Sequence, residues 1–199
     1  QQQETFEVQG KGRVHDLSVF EQALANPALR VTRHTSRDQY DTYFLFADPA
    51  QGRLRYREDN VSGADGRVHP IYSLTLTGPT KEAVYENSVV LSRSRFTAPA
   101  DRSLRFYREF FQPSREIEIV KHRERYHIRY QGLDFAVNLD RFAGPEHGTL
   151  YMEIKSRTWS QQDAVRKADL IGELLAVFGV QPGEVIGDEY MELREEDED

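Results

Sequence analysis

The sequence predicts an α+β fold in which helices pack on the outside of an antiparallel β-sheet that closes into a barrel. Most of the chain consists of strand-length segments in which apolar and polar residues alternate, separated by short turns rich in glycine and aspartate. Three other segments carry apolar stripes at helical spacing, and such stripes need an apolar surface to pack against. Closure of the sheet would leave no unpaired edge strand.

Each predicted helix begins at a residue that favours a helix N-terminus. The three segments are 16–26, 101–111 and 160–180. The side chains of Asp16, Asp101 and Ser160 can each accept a hydrogen bond from a backbone N–H of the first helical turn. The third helix ends near Gly179, a residue type that is common at helix C-termini.

Eight segments have the alternation and composition of β-strands. They are 4–12, 42–48, 52–59, 70–78, 86–93, 115–130, 133–142 and 148–157. The turns between them, such as "SGADG" and "GPEHG", are short, and no linker or repeat divides the chain. We therefore expect a single domain over residues 1–193, followed by an acidic tail at 194–199.

Composition limits the possible partners. The net charge of −7 equals the charge of residues 188–199, which contain eight acids and one arginine, so the rest of the chain is neutral. A neutral body argues against a basic nucleic-acid-binding surface. The lack of cysteine excludes disulfides, thiolate nucleophiles and cysteine-bound metals. No apolar run reaches the roughly 20 residues of a membrane span, so we expect a cytoplasmic protein without membrane association.

Charged residues fall on one face of their strands and separate by sign. Two strands carry runs of cations at alternate positions: Arg53, Arg55, Arg57, Lys121, Arg123 and Arg125. Other strands carry acids at such positions: Glu7, Asp140 and Glu153. An open sheet with a solvated polar face is the alternative, but such faces usually mix the two signs. The separation therefore favours charged faces that line the inside of a barrel.

Clustered cations that cannot neutralise one another are typical of an anion site. Forked guanidinium groups fit phosphate oxygens. Nearby carboxylates suit Mg²⁺ or Mn²⁺, which commonly bind one or two carboxylates together with substrate phosphates. The pattern therefore predicts a site for a polyphosphate and its divalent metal.

Seven short motifs resemble, in order, those of one family. "EVQGK" resembles an opening Glu-x-Glu-x-Lys element, and it is followed by "QYDTYF", "LRYRED", "SLTLTGP", "IVKHRERY", "NLDRF" and "LYMEIK". Together they resemble the CYTH superfamily, the triphosphate tunnel metalloenzymes, from residue 4 to about residue 193. The resemblance implies an eight-stranded antiparallel β tunnel that holds a triphosphate together with Mg²⁺ or Mn²⁺.

The resemblance also implies roles for individual residues. The phosphate-binding residues would be Lys11, Arg55, Arg57, Lys121 and Arg123. The catalytic and metal-binding residues would be Glu7, Asp140 and Glu153.

The implied activity is metal-dependent hydrolysis of inorganic tripolyphosphate or of a nucleoside or thiamine triphosphate. Two alternatives stay open: a class IV-type adenylyl cyclase that makes cAMP from ATP, and a non-catalytic sensor of polyphosphate or nucleotide. Whether the chain forms a homodimer is also open.

Four positions depart from the family pattern: Gln9, Thr77, Lys155 and Asp188. Gln9 and Lys155 stand where carboxylates are expected, and Thr77 and Asp188 stand where lysines are expected. The remaining carboxylates can hold one metal ion with the help of phosphates, but two metal ions are not expected. Lys155 either supplies positive charge in place of a second metal, as a further substrate-binding residue, or pairs with Glu7 or Glu153.

Overall fold

The computed structural model describes residues 6–78, 81–93, 96–144, 148–187 and 190. These residues form an antiparallel β-sheet and three α-helices, which confirms the α+β class. The strands are β1 (Phe6–Val14), β2 (Arg30–Leu45), β3 (Arg53–Ser62), β4 (Val68–Thr77), β5 (Lys81–Val84), β6 (Val90–Arg93), β7 (Phe96–Pro99), β8 (Arg115–Tyr130), β9 (Leu133–Phe142), β10 (Leu150–Thr158) and β11 (Val185–Ile186). The helices are α1 (Leu17–Leu24), α2 (Leu104–Phe111) and α3 (Gln161–Val177).

The sheet differs in two respects from the predicted closed, eight-stranded barrel. It contains 11 strands, in the order β5-β6-β1-β10-β9-β8-β2-β3-β4-β7, with β11 paired to β1. Within the described residues it is open, because no pairing joins its two end strands, β5 and β7. The strands β5, β6 and β7 have only 4 residues each, too few to produce a clear alternation in the sequence.

Although it is open, the sheet rolls around its polar face. Glu7 on β1 and Thr97 on β7 line the same cavity, although these strands lie near opposite ends of the sheet. We call this polar, concave side the inner face. The charged faces were predicted to line the inside of a closed barrel. They lie on the inner face as expected, but the sheet itself is open within the described residues.

Two of the three helices begin as predicted. The Asp16 side chain accepts a hydrogen bond from the Ser18 N–H, and the Ser160 hydroxyl accepts one from the Asp163 N–H. Helix α2 begins instead at Ser103, whose hydroxyl accepts a hydrogen bond from the Phe106 N–H. Among the described residues, no helix has the length and apolarity needed to cross a membrane.

The outer, apolar face of β1 packs closely against α3. A Cβ atom added to Gly10 would lie 2.7 Å from Cγ2 of Ile171 on α3, a distance that side chains do not tolerate. Val8 and Ile154 are fully buried beside it in the main core cluster. The small residue on β1 thus lets α3 approach the sheet and fixes the strand whose other face carries Lys11.

One end of the inner face is apolar. Ile117, Ile119, Tyr151 and Tyr190 form a buried cluster, and the ring of Tyr190 lies 4.7 Å from that of Phe142. This cluster bounds the charged part of the inner face on one side. The predicted acidic tail at 194–199 and the predicted departure at position 188 lie outside the described residues.

Candidate functional site

A group of charged side chains lies together in the middle of the inner face. It consists of Lys11, Asp41, Arg57, Lys121, Arg123, Asp140, Glu153 and Lys155, which we call the charge cluster. All of these except Lys155 are buried. Antiparallel register places opposite charges side by side on neighbouring strands: Lys11 opposite Glu153, Arg57 opposite Asp41, and Arg123 opposite Asp140.

Asp41 joins two cations of the cluster. The Arg57 guanidinium donates to both of its carboxylate oxygens, at 2.6 and 2.7 Å, and the Lys121 ammonium donates at 2.9 Å. Burial alone would raise the pKa of Asp41, but the charges of Lys121 and Arg57 outweigh it and hold that pKa well below its usual value. Asp41 is therefore ionised and fixes the positions of both cations.

Arg123 forms a bidentate ion pair with Asp140, as Arg57 does with Asp41. Its Nε and Nη2 atoms donate to the two carboxylate oxygens at 2.6 and 2.9 Å, and Nη2 also lies 3.9 Å from Oε1 of Glu153. Arg123 thus links the carboxylates of Asp140 and Glu153.

Glu153 is surrounded by ammonium groups. Lys155 Nζ lies 2.8 Å from Oε1 of Glu153, and Lys11 Nζ lies 3.6 Å from Oε2. The ammonium of Lys11 also stands 5.0 Å from the ring centre of Tyr190, within cation–π range. Burial, together with the charges of Asp140 and Glu153, raises the pKa of the Tyr190 phenol well above 10, so it stays protonated.

Positive charge is in excess within the cluster, and Lys121 shows the effect. Burial lowers the pKa of Lys121 to about 7, with further lowering by Arg57 and Arg123 that Asp41 and Asp140 only partly offset. An anion placed among these cations would raise that pKa again.

A larger cavity of about 970 Å³ opens next to the charge cluster. It is lined by Arg55, Arg57, Arg125 and Lys155. All of these except Arg125 also border a smaller pocket within the charge cluster, which we call the inner pocket. Arg125 donates to the neutral Oδ1 of Asn138 at 2.9 Å, and no carboxylate of a described residue lies within 4 Å of it. Burial and the charge of Arg123 lower the pKa of Arg125, so this cation too would gain from a bound anion.

The family comparison agrees with this geometry. The sequence matches the CYTH domain family over residues 7–177, which is most of the chain. This chain belongs to the CYTH domain family. No curated protein matches the sequence.

Solved structures share the fold of this CYTH domain over nearly its whole length. The PH1819 protein of Pyrococcus horikoshii OT3 is 21% identical with a TM-score of 0.72, and the match covers 96% of this chain and 99% of that one. A candidate adenylate cyclase from Vibrio parahaemolyticus is 15% identical, with a TM-score of 0.62 and coverage of 98% and 99%. HpAC1 from Hippeastrum, for which a dominant triphosphatase activity is described, is 15% identical, with a TM-score of 0.57 and coverage of 96% of each chain.

The CYTH domain brings most of the predicted site residues together, but not Glu7. In the strand register Glu7 lies opposite Arg157, whereas Asp140 lies opposite Tyr151, six residues away on β10. At roughly 3.3 Å per residue this separation is about 20 Å along the strand, more than two acidic side chains can span. Glu7 therefore lines the wider cavity, and the three carboxylates predicted to bind one metal do not meet at one point.

The structure also bears on two other sequence expectations and reveals one omission. Lys155 pairs with Glu153, one of the two predicted partners. Thr77, the position at which the family pattern has a lysine, lies on β4 opposite Arg53. Asp41 was missed as a site residue although it stands inside the quoted "QYDTYF" motif.

The donors of this CYTH domain fit a single divalent ion that also takes phosphate oxygens. Among the described residues, no three Asp, Glu or His side chains converge as ready metal ligands. Asp140 and Glu153, which Arg123 links, would supply the one or two carboxylates that Mg²⁺ or Mn²⁺ uses beside phosphate.

Proposed function

We propose that this CYTH domain binds a triphosphate group within the charge cluster and hydrolyses it with the help of one Mg²⁺ or Mn²⁺. The observation that carries the proposal is the excess of cations over carboxylates around the inner pocket, where the part-exposed Lys155 meets four buried cations, Lys11, Arg57, Lys121 and Arg123. Buried cations in excess are stable when an anion joins them. A triphosphate supplies several negative charges in one chain of oxygens.

The proposed phosphate-binding groups are the guanidinium groups of Arg57 and Arg123 and the ammonium of Lys121. Asp41 and Asp140 hold these groups in fixed orientations, so little conformational freedom is lost when phosphate oxygens arrive. Arg55, which donates to the Thr75 hydroxyl at 3.3 Å, faces the same space from the neighbouring side.

In the proposed reaction a water molecule attacks the terminal phosphorus, and the bond to the bridging oxygen breaks to release phosphate. Asp140 and Glu153 would hold the divalent ion, which when bound neutralises charge on the phosphoryl oxygens. Arg57 and Arg123 would stabilise the charge that develops on the equatorial and leaving oxygens. Glu153, whose Oε2 lies 3.6 Å from Nζ of Lys11, would accept a hydrogen bond from the attacking water.

The test is a substrate panel of tripolyphosphate, ATP, GTP and thiamine triphosphate with Mg²⁺ or Mn²⁺. Products are scored as phosphate, pyrophosphate and cyclic nucleotide. Release of phosphate that is lost in Arg57→Ala but kept in the surface variant Arg105→Ala supports hydrolysis. Binding of every substrate without turnover would contradict hydrolysis and point to a sensor.

ATP cyclisation is the second candidate, since the adjoining cavity of about 970 Å³ exceeds the needs of a triphosphate alone and leaves room for a nucleoside. Trp159 at the border of that cavity has an exposed ring that could stack on a base. Pyrophosphate together with cAMP from ATP would favour this reaction over hydrolysis.

A further inference from the structure

Gln9 and Lys155 lie directly opposite each other on β1 and β10. They are the two positions at which the family resemblance leads one to expect carboxylates. An amide and an ammonium group take those places, so this part of the inner face carries positive charge where a metal-binding pair would carry negative charge. The two departures are therefore a single local change in the structure.

Lys155 reaches from a carboxylate to the space where the triphosphate is proposed to bind. Its Nζ lies 2.8 Å from Oε1 of Glu153, and its side chain is 17% exposed. Lys155 lines both the inner pocket and the wider cavity. Contact with a carboxylate on one side and phosphate oxygens on the other is the arrangement that a divalent metal otherwise provides.

Gln9 connects its neighbours without adding negative charge. In the amide orientation that satisfies both neighbours, Gln9 donates to Oε1 of Glu7 at 3.2 Å and accepts from Nζ of Lys11 at 2.9 Å. The Gln9 amide therefore joins Glu7 to Lys11, and this position opposite Lys155 offers no anionic ligand for a metal.

We infer that the Lys155 ammonium takes the place of a second metal ion between Glu153 and the phosphate chain, so that the charge cluster binds a triphosphate without any divalent metal. This inference rests on the proposed function, because it assumes that a triphosphate binds in the cluster. The divalent ion is then required for hydrolysis but not for binding.

The experiment is a calorimetric titration of tripolyphosphate into the full chain, once with EDTA and once with Mg²⁺. For the wild type the two dissociation constants should agree within about threefold. Lys155→Glu should bind at least about 30-fold more weakly in EDTA, because a charged hydrogen bond is lost and a repulsive charge is gained, and Mg²⁺ should restore at least about tenfold. Lys155→Gln should weaken binding in both conditions with no recovery by Mg²⁺, since an amide supplies neither charge.

The matched control is Arg105→Gln, which removes an exposed cation on α2 and should leave both constants unchanged. Circular dichroism and the melting temperature establish that each variant is folded. A wild type that binds at least about tenfold more weakly in EDTA than in Mg²⁺, or a Lys155→Glu protein with the wild-type ratio, overturns the inference.

Phosphate release measured on the same preparations separates the two proposals. A wild type that binds in EDTA but releases no phosphate with Mg²⁺ supports metal-free binding and refutes hydrolysis. A wild type that releases phosphate but binds only with Mg²⁺ overturns metal-free binding alone. Failure to bind in either condition overturns both.

Discussion

At the scale of single residues, Asp41 holds two cations of the charge cluster together. It accepts hydrogen bonds from Arg57 and from Lys121 while being almost fully buried. Because Arg57 lies on β3 and Lys121 on β8, with Asp41 on β2 between them, the carboxylate joins β3 to β8 through β2. In the proposed site its role is to position the two phosphate-binding groups rather than to touch the substrate.

The first prediction concerns this carboxylate. Asp41→Asn keeps the side-chain shape but leaves two buried cations poorly compensated, so the free energy of unfolding should fall by about 3–5 kcal/mol. Urea unfolding measures it, and tripolyphosphate should restore part of the loss. The control Glu109→Gln breaks an exposed pair with Arg105 and should change stability by less than about 1 kcal/mol. Equal losses in the two variants would contradict the role of Asp41.

The second prediction concerns Lys121, whose pKa is lowered to about 7. Above that pH the free protein carries a neutral Lys121, so triphosphate binding must take up a proton and should weaken as the pH rises. Relative to Lys121→Arg, which stays charged, wild-type affinity should fall by up to about tenfold per pH unit above 7. Calorimetry in buffers of different ionisation enthalpy measures both the affinity and the number of protons taken up on binding. The same pH profile in both proteins would refute the assignment.

The sequence predicts which face of its strand a residue occupies, because that depends on alternation. It does not predict how far apart residues on different strands lie, because that depends on the pairing register. Alternation placed Arg57, Arg123 and Glu153 on one face of their strands, and the structure brings them into one cluster. It could not reveal that Glu7 lies about 20 Å along the sheet from Asp140, because strand pairing sets that separation. Asp41 was missed because the predicted strand began one residue after it.

At the scale of elements, β2 shows why strand boundaries were the weakest part of the prediction. The strand runs over Arg30–Leu45, yet only 42–48 was predicted. Its first 12 residues, "RVTRHTSRDQYD", are mostly polar on both sides of the strand, and pairing with β8 rather than burial of apolar residues keeps them extended. The three helices were easier, because their apolar stripes are read directly from the sequence.

The third prediction tests the contact between β1 and α3. Gly10→Ala would place a methyl group against Ile171, so the free energy of unfolding should fall by about 1–3 kcal/mol. Gly183→Ala is the control, because a Cβ atom there meets nothing within 4 Å. Urea or thermal unfolding measures the difference. Equal stability of the two variants would show that α3 does not pack as closely on β1 as described.

At the scale of the whole molecule, the rolled shape rather than closure creates the site. The sheet is open between β5 and β7 within the described residues, but it curves enough for β1, β3 and β8 to face one pocket. The apolar cluster around Tyr190 bounds one side, and the larger cavity adjoins the other. The number of strands and their closure depend on short edge strands and long-range pairing, which sequence periodicity does not encode.

The central claim is that the charge cluster binds a triphosphate, and calorimetric titration of tripolyphosphate into the wild type and into Arg123→Gln tests it most directly. The wild type should bind one tripolyphosphate per chain. The Arg123 guanidinium, which lies between Asp140 and Glu153, is one of the proposed phosphate-binding groups, so its loss should weaken binding by about 10- to 100-fold. No binding by the wild type, or equal affinity of a folded Arg123→Gln protein, would contradict the claim.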